Sequence, residues 1–171
     1  MNYTQEYSAL IITLSDRAFR GEYDDLSGPG VRQKLEEFAG TAGWRFTVEM
    51  TLLPDDPEKL RDLVTGASDR YDLIFTTGGT GIGPRDFTVD VIKPLLVKEI
   101  PGIMDFIRIK YAYEKPNALL SRSVAGVAGK SLVYTLPGSV RAVEEYMTEI
   151  LRTLEHTLLM LKGIDTHGRH Q

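Results

Sequence analysis

Short apolar runs recur along the chain and have the length of strands. Residues 8–14, 73–75 and 130–136 are mainly apolar, whereas residues 44–53 alternate loosely between apolar and polar positions. A strand that is apolar throughout is typical of a parallel sheet that is covered on both faces. The pattern therefore predicts four strands, of which the one at residues 73–75 is expected to be buried.

Segments with helical periodicity lie between and after these strands. In each segment apolar residues recur every three or four positions, and the segments begin near Pro29, Pro57, Thr88, Ile100 and Val140. Pro29 and Pro57 suit the first turn of a helix, because proline lacks the N–H that is unused there. Inside the segment 88–97, Pro94 is expected to kink or restart the helix.

Strands that alternate with helices indicate an α/β fold. We predict a three-layer, doubly wound domain, with a mostly parallel sheet and helices on both faces. Residues 1–164 are expected to form one domain, and residues 165–171 a disordered tail. His167 and His170 in this tail have a spacing that could bind a metal, but a polar terminus of this kind is more often without a ligand.

Composition excludes several classes of function. The chain has 171 residues, of which 42% are hydrophobic and 26% charged, typical of a soluble globular protein. Its net charge of −4 and scattered basic residues argue against nucleic-acid binding. The absence of cysteine excludes thiolate catalysis and Cys-ligated zinc. Because no apolar run reaches membrane-spanning length, we expect a cytoplasmic protein without a membrane partner.

A glycine-rich segment follows the strand at residues 73–75. Its glycines and hydroxyls suit an anion, because glycine lets backbone N–H groups approach a phosphate or carboxylate closely. Pro84-Arg85 stands where a Walker A loop requires Lys-Ser/Thr, and Pro84 also occupies the third glycine of a dinucleotide fingerprint. The alternative is a tight turn without a ligand. The glycine-rich segment as a whole is therefore predicted to contact an anionic ligand.

Polar residues follow the other strands. Ser15 and Asp16 end the first strand, Asp55 follows the second, and Pro137-Gly138-Ser139 follows the last. Ligands of doubly wound sheets bind beyond the carboxyl ends of the strands. If Asp55 and Asp86 lie beside a bound phosphate, Mg²⁺ must separate the like charges. This combination indicates phosphoryl or nucleotidyl transfer, although Asp55 could equally be a solvated turn residue.

The motif Thr76-Thr77-Gly78-Gly79-Thr80-Gly81, followed by Pro84-Arg85-Asp86, resembles the MogA/MoaB/gephyrin-G family of molybdenum cofactor biosynthesis proteins. Similar matches cover nearly the whole chain in order. They include Ser15-Asp16-Arg17, Leu53-Pro54-Asp55-Asp56, Leu120-Ser121-Arg122 and Leu136-Pro137-Gly138-Ser139. The resemblance implies a molybdopterin adenylyltransferase, which transfers AMP from MgATP to the phosphate of molybdopterin and releases pyrophosphate. It also implies a homotrimer that hands its product to a molybdate-insertion enzyme.

The resemblance assigns a role to each matching residue. Asp55 and Asp86 would be the catalytic carboxylates, binding Mg²⁺ and orienting the phosphates. At the glycine loop, residues 78–86, phosphate would be held by backbone N–H and hydroxyl groups of Thr77, Gly78, Gly79, Thr80 and Gly81. Arg122 is expected to make a charge-assisted phosphate contact. The pocket for pterin and nucleotide would be lined by Ser121, Arg122, Pro137, Gly138 and Ser139, with Ser15 and Asp16 at its rim.

Three functions stay open at this point. The first is the adenylyltransferase, which the presence of Asp55 favours, because MoaB-like members can lack this aspartate. The second is a non-catalytic paralogue that binds molybdopterin or acts as a scaffold. The third is a domain of the later metal-insertion step, as in larger proteins of this fold. The choice between molybdenum and tungsten is also open.

Overall fold

A six-stranded sheet runs through the centre of the protein. The computed structural model describes residues 5–164, and the predicted tail, with His167 and His170, lies outside them. The strands are β1 (Gln5–Leu14), β2 (Trp44–Leu53), β3 (Leu73–Thr77), β4 (Lys98–Glu99), β5 (Ala125–Ala128) and β6 (Ser131–Leu136). Their order is β2-β1-β3-β6-β5-β4. The pairs β2–β1, β1–β3 and β3–β6 are parallel. At the other edge of the sheet, the pairs β6–β5 and β5–β4 are antiparallel.

Helices cover both faces of this sheet. They are α1 (Asp16–Phe19), α2 (Ser27–Ala42), α3 (Pro57–Ala67), α4 (Thr88–Ile92), α5 (Pro101–Ala112) and α6 (Val140–Leu161). Helices α2, α5 and α6 contribute to the core on one face, and α3 and α4 to the core on the other. Alternate residues of β1 enter the two cores: Ile11 the first, Ile12 the second. The predicted α/β fold with a three-layer, mostly parallel sheet is confirmed.

Local capping explains why several helices begin and end where they do. The Asp56 carboxylate accepts hydrogen bonds from the N–H groups of Glu58 and Lys59 at the start of α3. The Ser139 hydroxyl accepts one from the N–H of Ala142 at the start of α6. Each side chain satisfies an N–H group that the first helical turn leaves without a partner.

Two segments differ from the sequence-based prediction. The helix predicted over residues 88–97 ends at Ile92, continues as a 3₁₀ turn over Lys93–Leu95, and gives way to β4, consistent with the effect expected of Pro94. No strand was predicted in residues 118–129, yet β5 lies there. A Cβ at Gly126 would lie 2.3 Å from the Lys98 carbonyl oxygen, so the small residue permits the close pairing of β5 with β4.

Smaller differences concern the segment between β1 and α2. No helix was predicted before Pro29, but α1 spans Asp16–Phe19 and α2 begins at Ser27, two residues before Pro29. Asp25 explains the earlier start of α2, because its carboxylate accepts hydrogen bonds from the N–H groups of Ser27 and Gly28. None of the helices within residues 5–164 has the length and apolar character needed to cross a membrane.

Candidate functional site

The loops that carry the predicted site meet at one edge of the sheet. In the parallel register Leu14 pairs with Leu53, and Thr77 pairs with both Thr13 and Leu136. The loops after β1, β2, β3 and β6 therefore leave the sheet side by side. The chain moves outward from β1 to β2 and then crosses to β3 on the other side of β1. This crossing makes the β1–β3 boundary a topological switch point, where ligands of such sheets bind.

A polar cavity of about 400 Å³ lies at this switch point. The residues Asp16, Asp55 and Asp86 all line it, together with Arg85 and Ser15. The Asp16 carboxylate accepts a hydrogen bond of 2.9 Å from the Asp55 N–H, which ties the loop after β1 to the loop after β2. The structure thus brings together the aspartates that the sequence predicted. We call this space the carboxylate cavity.

The carboxylate oxygens in the carboxylate cavity suit an Mg²⁺ ion that is also bound by the phosphates of a substrate. Within residues 5–164 no three His, Cys, Asp or Glu side chains are close enough together to hold a metal ion by themselves. Mg²⁺ is commonly bound through one or two carboxylates, with water and substrate phosphates completing its shell. One oxygen of Asp86 accepts a hydrogen bond of 2.8 Å from the Gly83 N–H, which leaves its second oxygen available.

The glycine loop forms the wall between β3 and α4. Gly78 and Gly79 have φ angles of +98° and +67°, a region that residues with a side chain rarely adopt. The Thr88 hydroxyl donates to the Gly78 carbonyl, and the Thr88 N–H donates to the Gly79 carbonyl, so the first turn of α4 supports the loop. Among the described residues, the N–H groups of Gly79, Thr80 and Gly81 donate to no other group. They are available to an anion.

A second cavity, of about 550 Å³, lies between the glycine loop and helices α5 and α6. Most of its surface is apolar, and its walls include many of the predicted residues: Gly79, Thr80, Gly81, Asp86, Ser121, Pro137, Gly138 and Ser139. We call it the large cavity. Gly79, Gly83 and Asp86 line both cavities, so Asp86 stands at their junction.

Several side chains of the large cavity were not predicted as site residues. The Tyr146 hydroxyl donates to Ser121 Oγ at 2.9 Å, and Arg108 donates to the carbonyl oxygens of Ser121 and Ser123 at 3.3 and 2.9 Å. Lys115 adds a second basic group to this wall. Arg108 lies on α5 and Lys115 three residues beyond its end, and no sequence pattern marked either as a site residue. Tyr146 gave no signal, because it reads as a core residue of α6.

Tyr111 also lines the large cavity, and its hydroxyl stays protonated at physiological pH. Burial, together with the nearby Glu149 carboxylate, raises the pKa of Tyr111 to about 12. The hydroxyl donates to Glu149 Oε1 at 3.2 Å. Tyr111 therefore offers its ring and a neutral hydroxyl at this wall rather than a titrating group.

Three predicted residues lie outside both cavities. Thr77 is fully buried beneath the glycine loop, where its hydroxyl pairs with those of Ser27 and Thr13. Gly78 lies behind the loop, where a Cβ would be 2.5 Å from the Leu14 carbonyl oxygen. The guanidinium of Arg122 points to the opposite side of the loop, toward Asp90. The structure therefore does not place Arg122 as a wall of either cavity.

The sequence and the fold are both similar to those of known proteins. A family profile described as a probable molybdopterin binding domain matches residues 10–156. The chain is 34% identical over 166 residues to gephyrin of Dictyostelium discoideum, covering 93% of this chain but only 23% of gephyrin. It is 30% identical over 155 residues to the molybdopterin adenylyltransferase of Helicobacter pylori strain J99, covering 90% of this chain and 86% of that protein.

A solved structure supports the same relationship. The molybdopterin biosynthesis enzyme MoaB from Thermus thermophilus is 34% identical and superposes with a TM-score of 0.78, covering 92% of this chain and 97% of MoaB. The family profile spans most of the chain, including the glycine loop and the loops that surround it. The chain belongs to the MogA/MoaB/gephyrin-like family of molybdopterin biosynthesis proteins.

Proposed function

We propose that this protein is a molybdopterin adenylyltransferase. A terminal phosphate oxygen of molybdopterin attacks the α-phosphorus of ATP, a P–O bond forms there, and the bond to the β-phosphate breaks with release of pyrophosphate. The observation that carries the proposal is the position of Asp86, which lines both the carboxylate cavity and the large cavity. A group at this junction can orient two phosphates that occupy neighbouring cavities.

The carboxylate cavity is the proposed site of the ATP phosphates. Asp55 and Asp86 would hold Mg²⁺, which when bound neutralises phosphate charge and orients the reacting groups. The Asp16 carboxylate holds the Asp55 backbone and so sets the start of that loop. Arg85, which lies with Asp16 in this cavity, adds positive charge near the leaving pyrophosphate. Ser15 and Asp16 remain proposed rim residues.

The large cavity is the proposed site of the pterin. Its apolar walls suit a flat ring system. Lys115, whose Nζ lies 3.8 Å from Glu145 Oε1, is a basic group that suits the negative charge of the dithiolene and phosphate, whereas the guanidinium of Arg108 is already bonded to Asp105 and to the carbonyls of Ser121 and Ser123. The free N–H groups of the glycine loop would hold the attacking phosphate. Hydroxyls that could orient the pterin come from Thr80, Ser121 and Ser139, and Pro137 and Gly138 complete the wall.

A second function remains a candidate because of the names that similar proteins carry. The adenylyltransferase of Helicobacter pylori is 30% identical, and the MoaB of Thermus thermophilus is 34% identical. A binding-only or scaffolding paralogue would keep both cavities and bind molybdopterin without turnover. The chain spans 23% of the length of gephyrin, and the metal-insertion role stays a third candidate.

Pyrophosphate release tests the two functions directly. Purified protein would be incubated with MgATP, with and without molybdopterin, alongside the Asp86→Asn and Asp55→Asn variants. Asp62→Asn on the exposed surface of α3 is the matched control, since it removes the same charge away from both cavities. We expect release that needs molybdopterin, is nearly abolished by Asp86→Asn, is reduced by Asp55→Asn and is unchanged in the control. Tight molybdopterin binding without release would establish the binding-only function instead.

We further propose a homotrimer that passes its product to a molybdate-insertion enzyme. Helix α5 leaves an apolar stripe exposed, with Phe106 at 50%, Ile109 at 58% and, just beyond the helix, Tyr113 at 88% of full exposure. Such a stripe is a suitable contact between copies. Sedimentation velocity of the purified protein measures the assembly state. The cytoplasmic location stays a prediction.

A further inference from the structure

Arg122 holds the glycine loop from the side away from the cavities. Its backbone N–H donates to the Thr80 carbonyl at 2.8 Å. Its Nε donates to the Gly81 carbonyl at 2.8 Å, and its Nη2 donates to the Asp86 carbonyl at 2.7 Å. One residue thus binds carbonyl groups near the beginning and at the end of the loop that bears Asp86.

Asp90 on α4 holds the guanidinium in this position. Its two carboxylate oxygens accept hydrogen bonds of 2.9 Å from Nη1 and Nη2 of Arg122. Four of the five guanidinium N–H groups are then used by Gly81, Asp86 and Asp90. Little donor capacity is left for a phosphate. The hydrogen bond from Arg122 also holds the pKa of Asp90 below its usual range, so the pair stays ionised at neutral pH.

These bonds determine which way the loop N–H groups point. In a planar trans peptide the C=O of one residue and the N–H of the next point in opposite directions. Because the carbonyls of Thr80 and Gly81 face Arg122, the N–H groups of Gly81 and Ile82 face away from it. Gly81 and Ile82 both line the large cavity. The arginine therefore orients the peptide dipoles that would receive an anion.

The same bonds position the carboxylate of Asp86. Its backbone carbonyl is fixed by Arg122, its N–H donates to the Gly83 carbonyl at 3.0 Å, and one side-chain oxygen accepts from the Gly83 N–H. The backbone and the side chain of Asp86 are thus both constrained. If Arg122 is lost, the carbonyl is freed and the carboxylate can move relative to the two cavities.

We propose that Arg122, held by Asp90, is a positioning residue that orients the glycine loop and Asp86, rather than a ligand of the substrate phosphates. The consequence for catalysis rests on the proposed adenylyltransferase function, whereas the consequence for the loop does not. Substitution of Asp90 distinguishes the positioning role from the ligand role, because Asp90 contacts Arg122 but lines neither cavity.

Steady-state kinetics of pyrophosphate release tests the proposal with Arg122→Lys and Asp90→Asn. Glu36→Gln is the matched control, since Glu36 forms an exposed pair with Arg32 at 2.7 Å, far along the chain from the loop. We expect Arg122→Lys and Asp90→Asn each to lower kcat by at least about tenfold, because small misplacements of reacting groups have effects of this size. KM for MgATP should change little, and the control should behave as wild type. If Arg122 binds phosphate, Arg122→Lys raises KM for MgATP and Asp90→Asn, which frees the guanidinium, does not lower kcat. That result overturns the proposal.

Hydrogen exchange of the free protein provides a readout that does not need activity. The amides of Asp86, Thr88 and Arg122 are bonded to loop carbonyl groups and report its opening. We expect Asp90→Asn to accelerate their exchange by at least about tenfold, with no change in Glu36→Gln. Unchanged exchange overturns the proposal even if turnover falls. If wild-type protein releases no pyrophosphate, the proposed function fails and exchange alone decides the role of Arg122.

Discussion

Replacement of Gly79 by alanine measures how tightly the glycine loop is built against α4. Gly79 has a φ angle of +67°, and an added Cβ would lie 2.3 Å from the Thr88 hydroxyl oxygen. Side chains essentially never approach this closely, so Thr88 must move. The buried hydrogen bond of 2.8 Å from the Thr88 hydroxyl to the Gly78 carbonyl is then lost.

Two contributions add to the expected loss of stability. The left-handed backbone conformation costs about 1–2 kcal/mol for a residue with a Cβ. A buried polar group left without its partner costs about 1–3 kcal/mol. Gly163→Ala separates them, because Gly163 has the same φ of +67° but nothing within 4 Å of an added Cβ. We expect the free energy of unfolding to fall by about 3 kcal/mol in Gly79→Ala and about 1 kcal/mol in Gly163→Ala.

Urea unfolding followed by circular dichroism provides these free energies, provided that the m value is unchanged. The double variant Gly79→Ala/Thr88→Ala should lose less stability than the sum of the single variants, because removal of the Thr88 hydroxyl gives the new Cβ its space. Equal losses in Gly79→Ala and Gly163→Ala, or additive losses in the double variant, would refute the contact with Thr88 as the cause.

Two further predictions concern buried polar groups. The Thr76 hydroxyl is buried and has no hydrogen-bond partner among the described residues. Thr76→Val should therefore raise the free energy of unfolding by about 1 kcal/mol in the same urea assay. A loss of stability would show that the hydroxyl does have a hydrogen-bond partner. Burial alone would raise the pKa of Glu149, but hydrogen bonds from Lys110 and Arg152 hold that pKa below its usual range. Glu149→Gln should therefore lower the free energy of unfolding by about 2 kcal/mol at pH 7. Because the folded pKa is lowered, the contribution of Glu149 is complete above the ordinary glutamate pKa and is lost as pH falls through the lowered pKa. Urea unfolding between about pH 7 and pH 3 should show the difference between wild type and variant shrink, and a constant difference would contradict this origin.

Local signals in the sequence were sufficient for the longer elements. Strand β2 was predicted over residues 44–53, as in the structure, and α3 and α6 begin at Pro57 and Val140, as predicted. Each has a periodic apolar face, and the two helices also have a capping side chain. Strands β4 and β5 were missed because they are short and rich in small or charged residues. Their strand conformation comes from the partner across the sheet edge, which periodicity cannot reveal.

The candidate site divides in the same way. That the loops after β1, β2, β3 and β6 share one edge follows from strands and connections that the sequence indicates, so Asp16, Asp55 and Asp86 were expected to lie together. The direction of the Arg122 side chain could not be expected. The sequence shows that an arginine is present, and an arginine can bind a phosphate, a carboxylate or a carbonyl group. Only the folded chain brings Asp90 and the loop carbonyls to the guanidinium of Arg122.

The amino-acid sequence by itself determined the α/β architecture, the family and the edge of the sheet at which ligands would bind. Periodicity, capping residues and loop motifs are local properties, and they persist whatever the distant parts of the chain do. The tertiary structure alone decided that Asp86 stands between two cavities, that Tyr146 reaches Ser121 and that Arg122 faces away from the two cavities. These features depend on side-chain directions and on distances between residues far apart in the chain, which are set when the helices pack on the sheet.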